Sequence, residues 1–252
     1  MIDTHCHLDF ADFDADRVAV VARVQALGVT AIIVPAVSAA NFAAVQTVCA
    51  DYAICRPAFG LHPVFANQHQ PADLQALRDI VAMQRPVAIG EIGLDLFVRD
   101  VDMAQQLYYF TEQLKIASEF DLPVLLHTRY ANDEIMKQLR RFNIRRGIAH
   151  AFNGSTQQAE AFIKQGFKLG FGGAMTYTRA TNLRKLAVEL PLESIVLETD
   201  APDMSPAWAH GQRNSPEYMP QIAQVLADLR GVNINEVIAA TTRTANSILC
   251  LF

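Results

Sequence analysis

The chain has 252 residues, 51% of them apolar, with 26 acidic against 21 basic side chains and a net charge of −5. That length and apolar content predict a well-buried globular core, and α/β barrels run to this size as one unit. The acidic balance excludes a broad basic surface that grips nucleic acid by neutralising phosphates, so any such contact must be local, at a metal or a few arginines. MIDTH (1–5) reads as a first strand. Its continuation sets His5 and His7 on one face and Cys6 on the other, because strand residues alternate. DADRVAVVARVQALG (14–28) is helical in pattern, with Val18, Val21, Val24 and Leu27 on neighbouring turns and Gly28 placed to follow a helix end. AIIVPAV (31–37) is the next strand, and Ser38 is placed to cap the helix after it. CRPAFGLH (55–62) precedes a helix carrying Leu74, Leu77 and Val81. PVAIGEIG (86–93) precedes the longest helix, with Leu107, Phe110, Leu114 and Ala117 on one side. PVLLHT (123–128), GIAHAF (147–152), FKLGFGG (167–173) and SIVLETD (194–200) complete eight strands, each followed by a helical pattern.

Strands alternating with helices give βαβ units and a parallel sheet. Strands that are apolar throughout suit a sheet covered on both faces. Eight such units at this length predict an α/β fold, a TIM (β/α)8 barrel, as a single domain over residues 1–252. A doubly wound open sheet is the alternative, and the first strand-to-helix turn lacks its G-x-G-x-x-G fingerprint. No run reaches the roughly 18 apolar residues of a membrane span, and no basic segment leads into an apolar one at the start. A cytoplasmic location is expected, with no membrane association and no obligate protein partner. Cys6, Cys49, Cys55 and Cys250 show no C-x-x-C spacing and read as reduced thiols.

A barrel builds its chemistry at the C-terminal ends of its strands. Six of the eight runs finish there in an imidazole or a carboxylate: His5 and His7, His62, Glu91, His127, His150 and Asp200. A carboxylate at the end of an apolar strand is unfavourable unless it meets a cation or several donors. Neutral imidazoles and carboxylates are the donor set of divalent metals. Six ligands exceed the three that one catalytic zinc takes from protein, so two divalent ions are expected. His5, His7 and Asp200 would hold one, His127 and His150 the other, and Glu91 would bridge them. Mixed nitrogen and oxygen donors suit Zn, Mn or Co, and Mg less well. Two dications, two carboxylates and a hydroxide leave about +1, which complements a phosphodiester in its transition state. The reading is hydrolysis of an ester bond, with Glu91, Asp200 and His62 as catalytic candidates. Asp200 would orient or accept the proton of an activated water. His62 would contact the scissile phosphate or protonate the leaving oxygen, unless it staples its own loop. Arg129 and Arg213 would fork onto phosphate as substrate-binding residues, and Tyr177 and Phe65 are candidates to stack on a base.

The chain resembles the TatD family of metal-dependent deoxyribonucleases, within the amidohydrolase-type barrels. The resemblance runs through DTHCHLD (3–9), GLHP (60–63), GEIGLD (90–95), LLHTR (125–129), IAHAFNGS (148–155), LETDAP (197–202) and R-N-x-P at Arg213, Asn214 and Pro216. The C-terminal Thr244, Asn246, Leu251 and Phe252 are similar too. The resemblance implies a TIM barrel, one metal on His5, His7, Glu91 and Asp200, and the other on Glu91, His127 and His150. It implies hydrolysis of DNA phosphodiester bonds from the 3′ end. The chain departs from the family pattern at Ala151, Ser215, Leu96 and Phe97. The departures lie where substrate would rest, so an amide, lactone or other ester hydrolase on the same barrel is the rival reading. A non-catalytic metal-stabilised scaffold is a third.

Overall fold

In the computed structural model, which describes residues 1–251, the apolar runs lie side by side as eight parallel strands in sequence order. They are β1 (Ile2–Asp3), β2 (Ala31–Pro35), β3 (Cys55–Phe59), β4 (Ala88–Asp95), β5 (Val124–Arg129), β6 (Gly147–Ala149), β7 (Phe167–Phe171) and β8 (Ile195–Leu197). Phe252 lies outside the described residues. Between and after the strands run α1 (Arg17–Ala26), α2 (Phe42–Asp51), α3 (Pro71–Gln84), α4 (Met103–Glu119), α5 (Asn132–Arg141), α6 (Thr156–Gln165), α7 (Thr181–Glu189), α8 (Met219–Arg230) and α9 (Ile234–Leu249). This is the expected (β/α)8 barrel. No ladder joins β8 to β1, yet the seam is bridged: Thr4 N–H donates to Leu197 O (3.1 Å) and Asp200 N–H to His5 O (2.8 Å). The Asp3 carboxylate reinforces it, accepting from Thr199 N–H (3.0 Å) and the Thr199 hydroxyl (2.6 Å).

Period-two alternation sorts each strand into an inner and an outer set. The inner set, from Ile2, Ile33, Ala58, Ala88, Leu125, Ile148 and Val196, meets Ala245, Ile248 and Leu249 of α9. Helix α9 therefore plugs the N-terminal end of the barrel, where burying each large aliphatic contributes about 1.5–3 kcal/mol. The opposite end stays open. The outer set packs under the helices in a second, larger core that includes Phe13, Phe59, Phe110 and Phe167.

Two local expectations differ from the structure. The buried face of α1 is Val20, Val21 and Val24, while Val18 is 71% exposed and Leu27 is 45% exposed. With four valines in one turn and a half, periodicity alone does not choose which stripe faces the sheet. The strands also end earlier or later than their apolar runs. Pairing stops at Asp3, Ala149 and Leu197, so His5, His7, His150 and Asp200 sit on the chain just beyond the ladder. Strand β4 instead continues through Glu91 to Asp95, which pairs with Arg129. Among the described residues no helix is long and apolar enough to cross a membrane.

Candidate metal centre

Strand parity delivers most of the site. Leu125, Ile148 and Val196 face the lumen, so His127, His150 and Glu198, each two residues further on, are aimed at the open mouth. His62 follows lumen-facing Ala58 by four residues. Glu91 breaks this rule, because Ala88 faces inward and strict alternation would turn Glu91 outward. The register shifts between Ile89 and Ile92, so that Gly90 and Glu91 together oppose the single residue Leu125. That bulge re-aims Glu91 into the lumen, a use of bulges common beside active sites. Gly90 is needed there, since a Cβ on it would lie 2.6 Å from Leu125 Cβ.

Glu91, 2% exposed, ends up at the centre of a ring of imidazoles. Its Oε2 lies 3.1 Å from His5 Nε2 and 3.6 Å from His7 Nε2. Its Oε1 lies 2.9 Å from His150 Nε2, 3.0 Å from His127 Nδ1 and 3.3 Å from His62 Nε2. Asp200 Oδ1 closes the first side, 3.7 Å from both His5 Nε2 and His7 Nε2. The six expected ligands thus come together, four imidazoles around the Glu91 carboxylate with one oxygen turned to each half of the ring and Asp200 beside His5 and His7. Asp200 is held there with φ at 58°, a left-handed conformation that a non-glycine residue adopts only when its surroundings impose it.

Hydrogen bonds on the far side of three rings fix which nitrogen is free. His7 Nδ1 is 3.2 Å from Pro35 O, so it carries the proton and Nε2 presents a lone pair to the centre. His127 is turned the other way: Nε2 donates to Asp95 Oδ2 (2.9 Å) and Nδ1 faces Glu91. His62 differs from both. Its Nδ1 accepts the Val64 N–H (3.2 Å), so in the neutral ring the proton is on Nε2, the atom aimed into the site. A donor in that position suits a phosphate or leaving oxygen and does not suit a cation.

The titration behaviour follows from burial among like groups. Burial lowers His5 to about 3 and His7 to about 4, in each case against the attraction of Glu91. Both rings therefore stay neutral, the form that binds metal. Burial opposes ionisation of Glu91, but His62, His150 and His5 outweigh it and hold the carboxyl well below its usual range. Burial, with Glu91 and Glu198 nearby, pushes Asp200 up to about 8 despite His150.

The residues fit divalent metal. Three overlapping groups have donor atoms within 4.8 Å of one another: His5, His7 and Asp200; His5, Glu91 and His150; His62, Glu91 and His127. Four ligands at zinc-like bond lengths stand about 3.4 Å apart along a tetrahedral edge, and the separations around Glu91 run from 2.9 to 3.6 Å. His5 and His150 both turn Nε2 to Glu91, and their Nδ1 atoms, on the far side, make no hydrogen bond among the described residues.

These groups open into a cavity of about 1150 Å³ whose lining includes His62, Glu91, His127, Arg129, His150 and Asp200. Arg129 is therefore where a substrate-binding residue is expected. Arg213 is not. Its guanidinium forks onto Asp16 (2.8 and 2.8 Å), donates to Asp12 O (2.6 Å) and lies over the Phe13 ring (4.6 Å). Its Nη atoms are engaged by the segment before α1, and it does not line the cavity. Tyr177 gives its hydroxyl to Ser205 O (3.0 Å) in a second hollow, and Phe65 packs 6.0 Å from His62. Neither lines the main cavity.

Two buried carboxylates escaped the sequence reading. Asp95 orients His127, as above. Glu198, 1% exposed, accepts the Ala151 N–H and lies 3.6 Å from His150 Nδ1. Gly170 makes room for it, since a Cβ there would lie 2.2 Å from Glu198 Oε2. The signal was present for Glu198, which follows lumen-facing Val196 by two residues, whereas Asp95 lies beyond the bulge in β4 and out of step with Ala88. Carboxylates behind metal-binding imidazoles set the tautomer and the ring angle.

A family model described as TatD related DNase matches residues 2–249. The chain is 44% identical over 243 residues to the Escherichia coli K12 protein named "Uncharacterized metal-dependent hydrolase YjjV", covering 95% of this chain and 93% of that one. It is 30% identical over 260 residues, all of both chains, to the Erwinia amylovora "3'-5' ssDNA/RNA exonuclease TatD". The crystal structure of the E. coli K12 TatD homologue YJJV superposes with a TM-score of 0.96 at 41% identity, covering 100% and 98%.

Proposed function

The chain belongs to the TatD family of metal-dependent hydrolases, and from that membership and the geometry of its mouth we propose that it is a nuclease removing nucleotides from the 3′ end of single-stranded nucleic acid. The observation that carries this reading is the division of Glu91, one oxygen to His5 and His7 and the other to His127 and His150. On it, His5, His7, Glu91 and Asp200 would hold one divalent ion, and Glu91, His127 and His150 a second. Bound there, the ions would lower the pKa of water and neutralise a phosphodiester in its transition state.

The remaining steps belong to the side chains. Asp200, its Oδ1 beside His5 and His7 at the edge of the ring, is the carboxylate placed to orient the attacking water or accept its proton. His62 donates from Nε2 to a phosphate or leaving oxygen, because Val64 holds its other nitrogen as an acceptor. Arg129, at the cavity wall, supplies a fork for a phosphate. Support for nucleic acid as the substrate comes from the named exonuclease relative and from this match of charge. An acidic chain can hold phosphate only where such groups concentrate.

The test is metal-stripped protein reloaded with Mg, Mn, Co or Zn and given end-labelled single-stranded oligonucleotide, lactones and simple amides. A ladder shortening from the 3′ end is expected. Rapid lactone or amide turnover with intact oligonucleotide would replace this reading by the rival hydrolase. Glu91→Ala should lower the bound metal from about two ions and stop turnover; full occupancy in that variant would remove the bridge.

A further inference from the structure

Beside the cavity stands an aromatic surface that the hydrolytic groups do not use. Tyr130 is 75% exposed, Phe97 54% and Leu96 46%. The Tyr130 and Phe97 rings stack 5.9 Å apart at 25°, and the Arg129 guanidinium lies 3.8 Å over Phe97. No carboxylate pairs with Arg129 among the described residues, so its donors are free for an anion. Leu96, Arg129 and Tyr130 line the same cavity as Glu91.

The patch is built rather than incidental. Tyr130 has φ at 57°, a conformation unfavourable for a bulky side chain, and it projects the ring outward at the end of β5. Leu96 N–H donates to Arg129 O (2.9 Å), tying the loop after β4 to that end. Asp95 couples the patch to the centre: Oδ2 holds His127, while Oδ1 accepts the N–H groups of Phe97 (2.8 Å) and Val98 (3.1 Å).

We propose that Tyr130, backed by Phe97 and accompanied by Arg129, is a platform on which a base of single-stranded nucleic acid stacks while its phosphodiester enters the ring around Glu91. The proposal rests on the nuclease reading above and adds to it a means of holding substrate. Flat aromatic faces take any base by stacking, and a neighbouring guanidinium takes the backbone phosphate. An unpaired cation beside exposed rings at the wall of a hydrolytic cavity matches that ligand. Apolar contact with a protein would leave the arginine unpaired.

The experiment uses metal-loaded protein and a phosphorothioate-linked single-stranded oligonucleotide carrying 2-aminopurine at either of its two 3′-terminal positions. Stacking quenches this fluorophore, and anisotropy gives the Kd. Wild type and Tyr130→Phe should quench. Tyr130→Ala should bind about tenfold more weakly without quenching, and should match wild type on an oligonucleotide lacking that base. Tyr130 is exposed, so unchanged metal content and thermal unfolding will show that the variant is folded. Equal affinity and equal quenching in Tyr130→Ala overturn the platform, as does a bound wild type that leaves fluorescence unchanged. Wild-type protein that neither binds nor shortens any oligonucleotide overturns the nuclease reading, and the platform with it. Shortening without quenching removes the platform alone.

Discussion

Replacing Asp95 by Asn tests how the centre is held without deleting any residue that faces it. Asp95 Oδ2 accepts a hydrogen bond from His127 Nε2–H at 2.9 Å, which leaves Nδ1 free 3.0 Å from Glu91. An asparagine keeps the acceptor used by Phe97 and Val98 but turns its amide towards Nε2. The ring then accepts there and carries its proton on Nδ1, where it opposes a cation. Loss of such an orienting carboxylate lowers metal affinity about 10- to 100-fold, or about 1.4–2.7 kcal/mol. His5, His7 and Asp200 keep their partners, so one of two binding steps should weaken and the other stay. Calorimetric or chelator-competition titration of stripped protein reads the two steps, and nitrogen NMR of His127 reads the tautomer. Two unchanged steps, or a His127 still protonated on Nε2, would refute the reasoning.

Arg213→Ala should leave metal content and KM for oligonucleotide unchanged and lower Tm by less than about 4 °C, because Arg213 is paired with Asp16 at the surface. A tenfold rise in KM at constant Tm would put it back on the substrate. His69 is buried with Nε2 3.0 Å from His62 O, and burial outweighs that bond to lower its pKa. The unfolded chain then binds the proton more readily, so the stabilisation is present above about pH 6.5 and is lost as pH falls through the folded value. His69→Gln keeps a donor and cannot titrate, so its urea midpoint should fall less between pH 7 and pH 5 than that of wild type. Parallel curves would show that His69 is not a source of the acid sensitivity.

Much of the molecule is legible along the chain because the signals are local. The alternation of AIIVPAV-like runs with amphipathic segments needs only neighbouring residues to be read, and it specifies a parallel α/β barrel. Given the barrel, a polar residue that ends an apolar run must stand at the mouth, which is how His62, His127, His150 and Asp200 declare themselves before any coordinates. The same rule reaches Glu198 once strand parity is followed past Val196, while Asp95, like Glu91, depends on the bulge in β4.

What remained for the folded chain to decide depends on partners distant in sequence. Whether Glu91 faces in or out turns on a bulge defined against Leu125 on the next strand. Whether Arg213 reaches substrate turns on Asp16, which lies 197 residues earlier and claims its fork. The valine stripe that α1 buries is chosen by the sheet it covers. The division of labour among the histidines is set behind each ring, by Pro35, Val64 or Asp95. A side chain's type and spacing specify that an imidazole will stand at the mouth, but which of its nitrogens carries the proton belongs to the neighbour that packing brings to its far side.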